Sequence, residues 1–254
     1  MKHRVLVVGS SGRMGREVVR AVTDAPDMEV AGGVTRGDDL EEAIRRTGPT
    51  VLVDFTVPGA VVDNVHAAVR AGIPAVVGTT GMSASDLADL DRAAREKEVG
   101  VLVAPNFALG AVLMMKFARD AARYFPHAEI IELHHDGKKD APSGTAIRTA
   151  ELIAQGRGGS PLSREELEII GGARGGNHHG VPIHSVRLPG LVAHQEVILG
   201  LPGQTLRIRH DSIDRSSFMP GVLLAIRRVG ELQGVVYGLE RLLFPDWEAP
   251  SPAP

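Results

Sequence analysis

Cysteine is absent from the 254 residues. That excludes a disulfide framework, thiolate zinc sites, iron–sulfur clusters and a cysteine nucleophile. Charge of one sign is missing as well. Lys and Arg number 28 against 31 Asp and Glu, a net of -3, so no positive field gathers nucleic-acid phosphates. Long hydrophobic runs are lacking too. The first, Val5 to Val8, stops at Gly9, short of a signal peptide, and nothing later approaches the ~20 apolar residues of a membrane-spanning helix. The expectation is a cytoplasmic protein that binds neither nucleic acid nor membrane. Aromatic residues are sparse, at 4%, whereas glycine is plentiful, at 30 residues, which points to tight turns and close backbone contacts. The 43% hydrophobic content is that of a globular chain. A chain this long buries roughly 70% of its extended surface and forms one large or two ordinary domains. The proline-rich stretch 245–254 is expected to be disordered.

The first hundred residues alternate strand and helix. Strand-like runs at 4–8, 28–34, 50–55, 73–77 and 100–104 are separated by helical patterns at 13–23, 40–46, 60–71 and 84–97. In the first helix Met14, Val18, Val19 and Val22 recur at helical spacing, and Val61, Val65, Ala68 and Val69 do so in the third. The run at 50–55 is apolar throughout, as in a parallel strand buried on both faces. This order predicts an α/β fold whose N-terminal domain is doubly wound and Rossmann-like. Beyond 105 the pattern changes. Helices are predicted at 109–124 and 145–155, strands at 128–135, 183–187, 193–200 and 205–210, and a final helix at 217–229. Helices and strands segregate, which predicts a second, α+β domain with a mixed or antiparallel sheet. The glycine-rich stretch 156–180 reads as a mobile loop. The domains are expected as 1–105, rejoined by a C-terminal helix of about 216–243, and 106–215.

Gly9, Ser11, Gly12, Arg13, Met14 and Gly15 form a glycine turn between a strand and a helix. Gly9 permits the tight turn, Gly12 lets the backbone approach a pyrophosphate, and Gly15 lets the helix sit close to the sheet. The helix N-terminus offers unpaired N–H groups and partial positive charge to the phosphates. The spacing is GxxGxxG rather than the commoner GxGxxG, and its context carries the reading of a dinucleotide site. An acid at the end of the second strand would hold the adenosine ribose, but Thr35 and Arg36 stand there. Arg36 suits a 2′-phosphate. The reading leans to NADPH and leaves NADH open, because Asp38 can fold back. Phe55, with Asp54 and Thr56, and Gly78, Thr79 and Thr80 lie where such a sheet places its ligands, beyond strand C-termini, and suit a nicotinamide.

The chemistry is concentrated in 132–145. His134, His135, Lys138 and Lys139 follow a strand, and Pro142, Ser143, Gly144 and Thr145 open a helix. That helix start is an anion site, strengthened by the Ser143 and Thr145 hydroxyls, and lysine adds a mobile cation. Together they suit a small substrate with carboxylates, and a histidine there can donate a proton near neutral pH. Eight of the ten histidines lie between 127 and 210, which raises a metal as the rival. Adjacent histidines on a strand point to opposite faces, and no HExxH helix is present, so no metal site is expected. His178 and His179 read as a solvated loop.

These residues resemble the 4-hydroxy-tetrahydrodipicolinate reductase (dihydrodipicolinate reductase) family, from about Val5 to Leu243. The most specific element is Glu132-Leu-His-His135 followed by Lys138 and Asp140-Ala-Pro-Ser-Gly-Thr-Ala146. Support comes from the glycine turn, Asp54-Phe-Thr56, Gly78-Thr-Thr-Gly81, Ala104-Pro-Asn-Phe107, His184-Ser-Val-Arg187 and Gln195-Glu-Val197. The resemblance implies that His134 donates the proton, Lys138 binds substrate and stabilises charge, His135 holds one carboxylate, and Gly144 and Thr145 hold the other. It places Gly78, Thr80, Asn106 and Phe107 around the nicotinamide, with Ala104 beside them. It further implies a hinge between domains, a homotetramer built on the substrate-domain sheets, and a role in lysine and diaminopimelate biosynthesis. The implied substrate is a small cyclic imine with two carboxylates. It loses water and takes hydride at ring carbon 4 and a proton from His134. Three departures stand out: Ala108 where many relatives have serine, no ribose-binding acid, and a short stretch between the second and third strands. Two rivals remain. A homoserine- or aspartate-semialdehyde-type dehydrogenase would share the first domain, although the absence of cysteine argues against the acylating type. A non-catalytic nucleotide sensor would not need the histidine–lysine segment.

Overall fold

The computed structural model describes residues 2–158 and 167–244. The tail at 245–254, and part of the glycine-rich stretch read as a loop, lie outside the described residues. The chain divides into two units, Met1–Phe107 with Phe218–Pro254, and Ala108–Ser217.

The first unit contains β1 (His3–Val8), α1 (Arg13–Asp24), β2 (Met28–Val34), α2 (Leu40–Thr47), β3 (Val51–Asp54), α3 (Pro58–Arg70), β4 (Ala75–Val77), α4 (Ala84–Glu96) and β5 (Gly100–Val103). Its strands form a parallel sheet. Val5, Leu6, Val7, Leu52, Val53, Val76, Val101 and Leu102 are fully buried, which is why these runs are apolar at every position rather than at alternate ones. Two helices carry their own start signals. Asp39 accepts from Glu42 N–H at 3.0 Å ahead of α2, and Ser83 and Asp86 form a reciprocal capping box on α4.

The expected helix of about 216–243 is not one helix. Residues 219–243 instead form α7 (Met219–Arg228), β11 (Gly234–Tyr237) and α8 (Leu239–Leu243). Gly234 at φ +73° and Gly238 at φ +95° bracket the β-prone Val235, Val236 and Tyr237. This short run pairs in parallel with β5 from Gly234↔Gly100 to Tyr237↔Val103, completing the order β11-β5-β4-β3-β1-β2. Asp91 of α4 accepts from Val235 N–H at 2.7 Å. Arg227 of α7 makes a two-pronged ion pair with Asp27, at 2.7 and 3.0 Å.

The second unit contains α5 (Leu109–Ala122), β6 (His127–His134), α6 (Gly144–Arg157), β7 (Gly176–His178), β8 (Val181–Arg187), β9 (Ala193–Leu201) and β10 (Gln204–Ser212). The sheet order is β10-β9-β6-β8-β7. Only β6 and β8 run parallel, so the sheet is mixed. Alternate residues of β6, β8 and β9, among them Ala128, Ile130, Ile183, Val197 and Leu199, pack on Met114, Ala118, Ala146, Ala150 and Ile153 of α5 and α6. β7 lies within the stretch expected to be a loop, where its three residues gave no pattern. His178 is half-buried on that strand, its ring 4.4 Å from that of His179 and its Nε2 3.6 Å from Glu151 of α6, which corrects the reading of a solvated loop for His178, whereas His179 is exposed in the turn that follows. No helix among the described residues is long and apolar enough to cross a membrane.

Candidate active site

In the first unit the glycine turn sits at the carboxyl end of β1. Gly9 has φ +82°, and a Cβ there would fall 2.4 Å from Phe55 O. A Cβ on Gly15 would fall 2.1 Å from Gly9 O, so only glycine lets α1 start this close to the turn. Unlike α2 and α4, α1 has no side-chain cap and no acid in its first turn. Its N–H groups and partial positive charge are therefore left for an outside anion, as a pyrophosphate requires. Ser11, Arg13 and Met14 belong to this turn and helix start.

At the end of β2, Asp38 does fold back, but onto Thr35. Its Oδ2 accepts from Thr35 N–H at 2.7 Å and from the Thr35 hydroxyl at 2.8 Å. Those two bonds hold the Asp38 carboxyl below its ordinary range. Asp39 is engaged by α2. Arg36 is exposed.

Beyond β3 and β4 a buried carboxylate organises two loops. Asp54 is fully buried. Its Oδ1 accepts from Thr56 N–H at 3.0 Å, the Thr56 hydroxyl at 2.8 Å and the Thr79 hydroxyl at 2.7 Å. Its Oδ2 accepts from Asn64 at 2.8 Å. The Thr79 hydroxyl thus points inward and shapes the loop, whereas Thr80 is exposed. A Cβ on Gly78 would lie 2.0 Å from Phe55 Cε1, so the Phe55 ring lies against the Gly78 backbone. Its centroid is 5.8 Å from that of Phe107. Ala104 and Phe107 are buried and Asn106 lies between them, half-buried. These residues make an apolar wall at the carboxyl ends of three adjacent strands, where a flat aromatic ring can rest. The glycine cradle and this wall fit a nicotinamide dinucleotide.

In the second unit β6 ends at His134, one residue short of the expected strand, which leaves His135 exposed in the following turn. Glu132 and His134, two apart on the strand, share a face. Glu132 is fully buried and His134 Nδ1 is hydrogen-bonded to its Oε2. Parallel pairing of β6 with β8 sets Arg187 opposite His134. Arg187 then grips both carboxylate oxygens, at 2.7 and 2.9 Å. Burial alone raises the Glu132 carboxyl, but bonds from His134, Arg187 and Ser185 outweigh it and hold it at about 2. Arg187 also donates to Asp140 O at 2.7 Å, and Ser143 N–H donates to Glu132 Oε1 at 3.3 Å. The loop between β6 and α6 is thereby stapled to the sheet at both of these points.

On that loop Lys138 donates to both Asp140 oxygens, at 2.7 and 2.8 Å. The bond from Lys138 lowers the Asp140 carboxyl. The Ala141–Pro142 peptide is cis. Ser143 is buried and caps α6, its Oγ accepting from Ala146 N–H at 3.2 Å. Gly144 and Thr145 open the helix, whose first turn has no acid. Thus His134, Lys138, Ser143, Gly144 and Thr145 are gathered at one end of the second unit's sheet. No group of three or more His, Asp or Glu among the described residues is placed to hold a metal. The sequence names Glu132 and Arg187 only within motifs and sets Asp54 beside the nicotinamide, whereas the Asp54 carboxylate is spent on Thr56, Asn64 and Thr79. The two-residue spacing of Glu132 and His134 was the available signal for the first. Arg187, 55 residues away in the chain, offered none.

The chain is similar to known proteins over nearly its whole length. Residues 3–107 match the family model described as dihydrodipicolinate reductase, N-terminus, and residues 110–243 its C-terminus. The 4-hydroxy-tetrahydrodipicolinate reductase of Streptomyces coelicolor is 53% identical over 95% of this chain and 98% of its own. That of Syntrophomonas wolfei is 49% identical over 95% and 99%. A solved structure of dipicolinate-bound dihydrodipicolinate reductase from Paenisporosarcina sp. TG-14 superposes with a TM-score of 0.88 at 42% identity, covering 95% of this chain and all of that one. An amine dehydrogenase from Mycobacterium smegmatis, 14% identical with a TM-score of 0.64, shares the fold alone. The chain therefore belongs to the 4-hydroxy-tetrahydrodipicolinate reductase family of oxidoreductases.

Proposed function

We propose that the chain reduces 4-hydroxy-tetrahydrodipicolinate, by way of dihydrodipicolinate, to tetrahydrodipicolinate, the reductase step of lysine and diaminopimelate biosynthesis. One observation carries this reading. A carboxylate-held histidine, a lysine and an anion-accepting helix start occupy a single segment, 132–145, at one end of a sheet. The dipicolinate held by the Paenisporosarcina relative is a ring dicarboxylate of the same class as the substrate.

The uncapped start of α1 and its glycine cradle hold the pyrophosphate. Phe55, Gly78, Thr80, Ala104, Asn106 and Phe107 form the nicotinamide's surroundings. When bound, reduced nicotinamide supplies hydride to ring carbon 4, the far end of the conjugated imine. The N–H groups at Gly144 and Thr145 bind one substrate carboxylate, and His135 binds the other. Lys138 exchanges Asp140 for substrate and stabilises the negative charge that moves toward the ring nitrogen. His134 protonates the carbon of the resulting enamine, so a hydride and a proton together saturate one carbon–carbon double bond. Arg36 is available to a 2′-phosphate while Asp38 is occupied by Thr35, which favours NADPH over NADH.

The domains of this reading are 1–105 with the C-terminal return for nucleotide, and 106–215 for substrate and oligomerisation. The face of the second sheet turned away from α5 and α6 carries the half-buried Ile131, Leu133 and Ile198, apolar surface suited to joining copies into a homotetramer. The test is a coupled absorbance assay. The substrate is made in place from pyruvate and aspartate semialdehyde by the preceding synthase, and oxidation of NADPH and NADH is followed separately. Synthase-dependent oxidation, faster with NADPH, is the expected result. Nucleotide binding without oxidation would bring the sensor reading forward.

A further inference from the structure

We infer that Glu132 and Arg187 form a positioning pair that fixes the tautomer of His134, so that only Nε2 exchanges a proton with substrate. The inference rests on the proposed role of His134 as proton donor. It adds which nitrogen acts and what selects it.

Glu132 is fully buried, and a buried carboxylate persists only where it is paired and hydrogen-bonded. Here its acceptor sites are filled. Oε1 takes Arg187 Nη2 and Ser143 N–H, at 2.7 and 3.3 Å. Oε2 takes Arg187 Nη1 at 2.9 Å and His134 Nδ1. The bidentate guanidinium fixes the plane of the carboxylate and keeps it ionised. An ionised carboxylate has no hydrogen to give, so the hydrogen between it and His134 belongs to Nδ1. The opposite ring nitrogen is then the one that changes protonation. Imidazolium gives up the Nε2 proton to the enamine carbon and returns to the neutral Nδ1–H form, with Glu132 unprotonated throughout. The same guanidinium holds Asp140 O, two residues beyond Lys138, so one ion pair sets both the histidine tautomer and the anchorage of the lysine's loop.

Glu132→Gln tests this, because an amide cannot accept from Arg187 and His134 at once with both of its ends. Nitrogen-15 spectra of the neutral imidazole, assigned by the signal missing in His134→Gln, should show Nδ1–H in the unmodified protein and a shift toward Nε2–H in Glu132→Gln. Under the coupled assay kcat should fall about 100-fold, as when supporting partners of catalytic histidines are lost. KM and nucleotide affinity should stay within about threefold, and Glu132→Asp should recover part of kcat. An unchanged tautomer in Glu132→Gln would overturn the inference, as would a kcat within threefold of the original. Should Glu132→Gln fail to fold, the unmodified protein still decides. Nε2–H as its neutral form refutes the inference, and Nδ1–H supports it. The spectra need no turnover, so an inactive native protein would refute the proposed reaction and leave the tautomer result standing.

Discussion

Lys138 rests on a partner that it can readily give up. Asp140 is 63% exposed, and an ion pair on that side faces water, where such pairs contribute little. A substrate carboxylate at the α6 N-terminus can take the ammonium at small cost. Lys138→Ala is therefore expected to lower turnover at least 100-fold while nucleotide affinity, measured by fluorescence titration, changes less than twofold. Glu132 makes a different prediction, about acid. Its carboxyl sits at about 2 when folded against an ordinary 4.5. A depressed carboxyl stabilises the fold above its unfolded value, and the contribution disappears as pH drops from 4.5 toward 2. Allowing for screening, this is on the order of 2 kcal/mol. Urea unfolding of the original protein and of Glu132→Gln should differ at pH 6 and converge near pH 2.5. The shared face of Glu132 and His134 is legible in their two-residue spacing on a strand, but the burial of the carboxylate is not. Arg187 was out of reach, because its place opposite His134 depends on how β8 pairs with β6.

Among the elements, β11 shows how tertiary pairing overrules local pattern. The sequence carries a helical pattern at 217–229, extended in the domain reading to about 216–243 as one C-terminal helix. The chain instead turns at Gly234, and four residues pair in parallel with β5 as the edge strand of the sheet. Asp91 is the outside support. Burial pushes its carboxyl up, while bonds from Arg95 and from Val235 N–H bring it below the usual range. Asp91→Ala strands the Val235 N–H and should destabilise the first unit by about 1–3 kcal/mol, seen in thermal melts. Asp91→Asn keeps a carbonyl acceptor and should recover most of the loss. β1, β3, β4 and β5 were legible because strands buried on both faces of a parallel sheet read as apolar runs, whereas β2, at the sheet edge, keeps Glu29 exposed. β7, three residues of Gly, Asn and His, writes nothing of the kind.

For the molecule as a whole, the first unit is discontinuous and the second is inserted within it. Ending the chain at 217 would remove α7, β11 and α8 and leave the β5 edge unpaired. Such a chain is expected to lose nucleotide binding and to show no cooperative melt for the first unit, by titration and circular dichroism. The sequence pattern changes after 105, and the first unit gives way to the second between Phe107 and Ala108. The return of the chain to the first region was visible only as a final helix, and its strand was not.

The late arrival of β11 has a consequence in time as well as in space. Synthesis runs from the N-terminus, so the nascent chain carries β1 to β5 and the whole inserted unit before residues 218–237 emerge. Until then β5 offers open N–H and C=O groups that any extended segment can claim. The final strand acts as a seal, and the cell meets this protein for part of its making with that seal not yet in place.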